Sequence, residues 1–345
     1  MNGIFIISLD FELHWGGFEK WQLDTLDVSN KTQDVSGYGQ YFLNTRQVIP
    51  VMLEAFQKHE VHVTWATVGM LFHQSKTELM KNAPAQKPSY LERQLSAYTY
   101  MDSMGIGGNE QEDPFHFAPS LIKQIMTTPH QEMGTHTFAH YYCNEAGQDV
   151  HQFRDDLKAA QRVARTYGCE LKALVFPRNQ FNDEYLKVCF EEGITSVRSN
   201  PQDWFWNIES TQSESFWKRL NRGLDAYFPV GQKNTYALSS LEVRAGYPIC
   251  IPASRLLRPY NPKELFLNAF KIRRILKEME HAARRGEVYH LWWHPHNFGN
   301  FPAESMEGLN KILKHFQYLS KQYGMESCTM SEITDRLANQ TIKST

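Results

Sequence analysis

The run Ile4-Phe5-Ile6-Ile7-Ser8-Leu9 is almost wholly apolar and breaks onto Asp10-Phe11-Glu12. A short continuous apolar run reads as a strand buried on both faces, which is the habit of parallel sheets covered by helices. Such a strand ending on two acids places charge at its carboxyl end, where open and barrel α/β sheets keep their active sites. Asp10 and Glu12, one residue apart, alternate to the same face.

The pattern downstream fits that class. Val48, Met52, Leu53 and Phe56 recur at helical spacing and precede the β-branched run Val61–Thr67, which gives β-α-β order. Helices are expected near 119–128, 151–167, 182–192, 212–222, 262–285 and 303–322, with strands at 131–135, 171–176, 194–197, 288–293 and 325–328. Thr329-Met330-Ser331-Glu332 reads as a capping box opening a last helix. The stretch 225–260 is poorly patterned. Two segments, 13–45 and 75–118, are too long for ordinary βα loops and are expected to be insertions, the first lid-like. Gly105-Ile106-Gly107-Gly108 follows no strand and opens no helix, which argues against a phosphate-cradling loop. No G-x-G-x-x-G follows the first strand either, so about seven strands each followed by helical pattern predict a single α/β domain over 1–345. Its expected form is a distorted (β/α) barrel rather than a dinucleotide-binding sheet.

Composition narrows the partners. With 36 basic and 38 acidic residues the formal net charge is −2, so no cationic field favours nucleic acid. Five scattered cysteines without a C-x-x-C pair suit reduced thiols. Met1-Asn2-Gly3 leads into the first strand without a basic leader or a membrane-spanning stretch, and the expectation is a cytoplasmic protein with no transmembrane segment. Eight Trp offer flat faces suited to sugar rings, though most are expected in the core.

Two i,i+4 histidine pairs occur, His136/His140 and His290/His294, and spacing alone does not choose between them. Context favours the first. His136 and His140 follow a short strand and the turn-forming Gly134, where two ring nitrogens can share a cation, whereas His290, Trp292, His294 and His296 alternate along a strand or its exit. Two histidines and one carboxylate leave coordination positions open, the arrangement of catalytic rather than structural zinc. With a second carboxylate to move a proton, the chemistry is hydrolytic.

Four segments in order, Ser8-Leu9-Asp10-Phe11-Glu12, Glu132–His140, Val175-Phe176-Pro177-Arg178-Asn179-Gln180 and Leu291-Trp292-Trp293-His294-Pro295-His296, resemble the motifs of the polysaccharide deacetylase family. These are NodB-homology enzymes, the family 4 carbohydrate esterases, and the first segment is closer to a D-x-D/E subgroup than to the commoner adjacent aspartates. The resemblance implies a distorted (β/α) barrel holding one divalent ion, usually zinc. By position it makes Asp10 the catalytic base, Glu12, His136 and His140 the metal ligands, and Arg178 the arginine that holds the base. His294 matches the histidine that protonates the leaving amine, with His296 as the alternative. Asn179, Gln180, His296 and Trp293 are the candidate substrate contacts, and Asp203-Trp204 loosely resembles a further motif. The expected reaction is removal of N-acetyl or related acyl groups from an N-acetylated sugar, glycan or glycan precursor. An allantoinase-like amidase, a two-carboxylate glycosidase and an inactive carbohydrate-binding protein are the alternatives.

Overall fold

A computed structural model describes residues 2–21, 23, 38–201 and 234–344. The expected helix near 212–222 and Asp203-Trp204 lie outside them. Nine strands are described: β1 Ile4–Phe11, β2 Val63–Thr67, β3 Gln131–Thr135, β4 Ala173–Leu174, β5 Ser196–Ser199, β6 Ile249–Pro252, β7 Arg255–Leu256, β8 Val288–Trp293 and β9 Glu326–Cys328. The order is β6-β5-β4-β3-β2-β1-β8-β7, with β9 also on β1. Every ladder between these strands is parallel. The sheet curls into a distorted half-barrel.

The described helices are α1 Tyr38–Lys58, α2 Lys76–Asn82, α3 Ala97–Ser103, α4 Pro119–Thr127, α5 Val150–Thr166, α6 Asp183–Glu191, α7 Leu265–Arg285, α8 Pro302–Tyr323 and α9 Met330–Ser344. The expected count of about seven strands is corrected to nine: β6 and β7 lie in the stretch that lacked pattern, because strands of four and two residues are too short to show alternation. The expected strand 171–176 is only two residues long. The segment 75–118 is an insertion with structure of its own, carrying α2 and α3. Within it, the amides of Gly107 and Gly108 donate to Asp113 Oδ2 (2.9 Å) and Glu112 Oε2 (2.8 Å), so this glycine run is closed on its own carboxylates. The capping box is reciprocal: the Thr329 amide donates to Glu332 Oε2 at 2.8 Å and the Glu332 amide to Thr329 Oγ1 at 3.3 Å.

Parity along the strands divides the interior. Odd positions of β1 and β8 (Phe5, Ile7, Leu9, Phe11; Tyr289, Leu291, Trp293) pack outward into the layer shared with helices such as α1 and α8. Even positions face inward. At the amino-terminal end these are apolar, Ile4, Ile6 and Val288 among them. Towards the carboxyl end they become Ser8, His290 and Asp10, so apolar packing forms a floor and polar groups a mouth.

Candidate metal centre and active site

Asp10 is 3% exposed, and both its oxygens accept from one guanidinium: Arg198 Nη1 to Oδ1 at 2.6 Å and Nη2 to Oδ2 at 2.7 Å. Arg198 enters from β5, also donates to Ser8 Oγ and to Asn179 Oδ1 (3.2 Å each), and lies 4.1 Å over the Trp292 ring. Burial would raise the Asp10 carboxyl, but the charge and hydrogen bonds of Arg198 together with the neighbouring imidazoles hold the group below its ordinary value. The role expected of Arg178 is thereby corrected. Arg178 follows β4 in a turn with φ of 55°, pairs with Glu19 and with Glu145 (3.4 Å), and stacks on Tyr142 at 3.9 Å. The arginine that reaches Asp10 stands one strand further on.

The histidines project from the turn after β3. Thr137 and His140 adopt φ of 65° and 55°, a left-handed conformation that costs non-glycine residues about 1–3 kcal/mol each and persists only where the surroundings impose it. Asp156, buried on α5, imposes it: its carboxylate accepts the amides of Phe138 (2.6 Å) and Ala139 (3.1 Å), while Thr137 Oγ1 accepts the Tyr141 amide at 2.7 Å. Burial pushes Asp156 up to about 7, partly offset by those two amides. Asp156→Asn keeps the shape but exchanges one acceptor for a donor. It is expected to weaken metal binding about 10- to 100-fold, the usual cost of losing outer support, as measured by competition with a chromophoric chelator.

Hydrogen bonding fixes which ring nitrogen is bare. His136 Nδ1 donates to the Val175 carbonyl (2.8 Å), and His140 Nδ1 donates to the Tyr142 hydroxyl (3.0 Å), which in turn donates to Glu19 (3.4 Å). Each Nε2 is then a lone pair, at 3.2 and 3.0 Å from the same atom, Glu12 Oε2. Burial lowers the pKa of His140, which keeps it neutral. These three donor atoms lie within 4.8 Å of one another. Tetrahedral coordination at about 2.0–2.2 Å spaces neighbouring ligands about 3.3–3.6 Å apart, so these residues could hold one small divalent cation. Without a cation or a proton, three lone pairs would repel at this range. Gly16 lies flush against the carboxylate, since a Cβ there would fall 2.0 Å from Glu12 Oε1.

His294, just past β8, has Nε2 3.6 Å from both Asp10 Oδ2 and Glu12 Oε1, and its side chain is 27% exposed. His296 is stacked behind it, ring centroids 4.9 Å apart, with its side chain only 5% exposed. Burial, helped by His294, drops the His296 pKa to about 3. His296, expected to touch substrate, therefore backs His294 instead. Trp293 is corrected too: as an odd residue of β8 it points away from the site, fully buried against Phe56 and Phe298, and Trp292 shares the face of His294. Asn179 supports Arg198, and the buried Gln180 donates to Glu145 at 2.9 Å.

A buried chain went unread in the sequence. Asp113 Oδ2 lies 2.8 Å from His116 Nδ1, His116 Nε2 lies 2.8 Å from His14 Nδ1, and His14 Nε2 donates to the Trp21 carbonyl (2.6 Å). Trp21 packs edge-on to His296 at 5.2 Å, so the chain braces the site wall from the second insertion. Its members lie far apart in sequence and form no motif.

No sequence-family model matches the chain, and no curated protein sequence matches it. Solved structures do. A Mycobacterium smegmatis protein described as a polysaccharide deacetylase aligns with a TM-score of 0.58 over 98% of this chain and 91% of its own, at 14% identity. Puue allantoinase aligns at 0.54 over 96% and 89%, at 12% identity. A 4-alpha-glucanotransferase from Thermococcus litoralis aligns at 0.53 over 97% of this chain and 40% of its own, at 13% identity. Likeness at these identities is one of architecture, and three chemistries share it. The half-barrel described above is the fold that these three structures share.

Proposed function

We propose that residues 1–345 act as one catalytic domain, a metal-dependent hydrolase that removes N-acetyl or related acyl groups from a sugar. One observation carries the reading: three bare donor atoms converge on a point beside an arginine-held carboxylate and an imidazole that touches both acids. A divalent ion held by Glu12, His136 and His140 supplies a Lewis acid that polarises an acyl oxygen and makes water acidic. The remaining work falls to the chain. Asp10, kept ionised by Arg198, accepts the proton of the attacking water. His294 stands at the mouth within reach of Asp10 and donates to the departing nitrogen, which leaves poorly as an anion. Trp292, beside both His294 and Arg198, walls the side from which a ring approaches.

Acetate release from a panel of N-acetylated sugars and sugar nucleotides, run beside allantoin and with metal analysis of the same protein, tests this. Metal-dependent acetate release supports it. Turnover of allantoin alone makes the chain an amidase on a non-sugar amide, and a metal-bearing protein inert to the whole panel overturns the reading. His294→Ala is expected to remove the proton donor to the departing nitrogen while leaving the three converging donors in place. It should slow amide substrates about 10²- to 10⁴-fold and an activated aryl ester far less. Equal losses on both would make His294 structural, and a larger selective loss in His296→Ala would move the acid there.

A further inference from the structure

We propose that the amino-terminal half of α7 is a docking face for an anionic lipid surface. From 262 to 277 the exposed positions comprise three large apolar residues, three cations, Pro262 and Ala269, with no acid among them. Leu265, Phe266 and Phe270 are 64%, 84% and 51% exposed. Lys263, Phe266, Phe270, Arg273 and Lys277 follow the helical repeat and form one stripe about 20 Å long. Phenylalanines interleaved with Lys and Arg, free of acids, are the composition of a helix that lies in a membrane interface, its rings among the acyl chains and its cations among the headgroups. No described helix is long and apolar enough to cross a membrane, so this contact would be peripheral.

The chemistry selects this occupant. Pairing with a second copy across a two-fold axis would bring cation against cation, with the half-buried Glu264 a poor partner for them. A purely polyanionic partner would satisfy Lys263, Arg273 and Lys277 but leave two phenyl rings in water. Position adds a reason. In a parallel sheet the helix after a strand begins at the strand's carboxyl end, so Leu265 and Phe266, following β7, stand at the rim that holds the site. The pair Tyr260–Phe301, at 5.6 Å, joins the loop before α7 to the loop before α8, just beyond His294 and His296.

Co-sedimentation of the full chain with phosphatidylcholine vesicles, with and without phosphatidylglycerol, tests the proposal. Binding is expected only where phosphatidylglycerol is present, and to fall as salt rises. Phe266→Asp with Phe270→Asp should weaken it at least about tenfold through lost apolar burial. Lys263→Glu with Arg273→Glu should do so about tenfold or more through charge. Absence of wild-type binding, or full binding by both variant pairs, overturns the proposal. So does a wild-type dimer in light scattering that the Phe variants dissolve, which would assign the face to a second copy. All variants should keep wild-type turnover on a water-soluble N-acetylated sugar, so failure here stays separate from failure of the proposed hydrolysis.

Discussion

Asp10→Asn is expected to retain the metal and lose turnover by about 10²- to 10⁴-fold, the usual contribution of a positioned general base. The carboxylate touches Arg198 and His294 but is not one of the three converging donors, so the amide removes proton acceptance without removing a ligand. The substitution has a second cost. Arg198 is 1% exposed, and breaking a buried pair by neutralising one partner destabilises by about 3–5 kcal/mol. Thermal melts must therefore accompany the kinetics, with metal content read on the folded fraction. Glu12→Gln should do the reverse, weakening metal binding first and turnover as a consequence. Equal metal loss in two folded variants would refute this division of roles.

His136→Ala is expected to abolish both metal binding and activity, with a loss of affinity beyond the 10- to 100-fold typical of outer-shell changes. Its ring is 2% exposed and anchored to the Val175 carbonyl, so its loss leaves a buried gap where a donor stood. Metal analysis after dialysis, and titration of the variant with zinc, measure this. A wild-type chain that keeps full activity after exhaustive chelation would overturn the metal reading altogether.

The acids and the histidine turn were legible because each sits where an apolar run stops, and a strand's end is a local signal. Arg198 carried the same signal, a charge at the carboxyl end of a strand. It is masked because Ile194-Thr195-Ser196-Val197 is half polar and the expected strand stops one residue short of Arg198, whereas Arg178 lies in a segment that resembles a family motif. Trp293 is a matter of phase: alternation puts Trp292 rather than Trp293 on the face of His290 and His294, and pairing with β1, Ser8 against Trp292 and Leu9 against Trp293, fixes that face as the inward one. The brace Asp113–His116–His14 joins residues about a hundred positions apart. No periodicity reports such a contact.

The two walls of the site are not held equally. β1, which carries the acids, is laddered to β2, to β8 and at its base to β9. β3, which ends in the histidine turn, is laddered to β2 over five residue pairs but meets β4 through one, Thr135 against Leu174. The carboxylates therefore rest on the sheet itself, while the imidazoles rest on bonds made beyond it, the Asp156 carboxylate on two amides of the turn and the Val175 carbonyl on His136. Release of a bound ion would need those few bonds to open, and recapture would start from Glu12, a charge already in place.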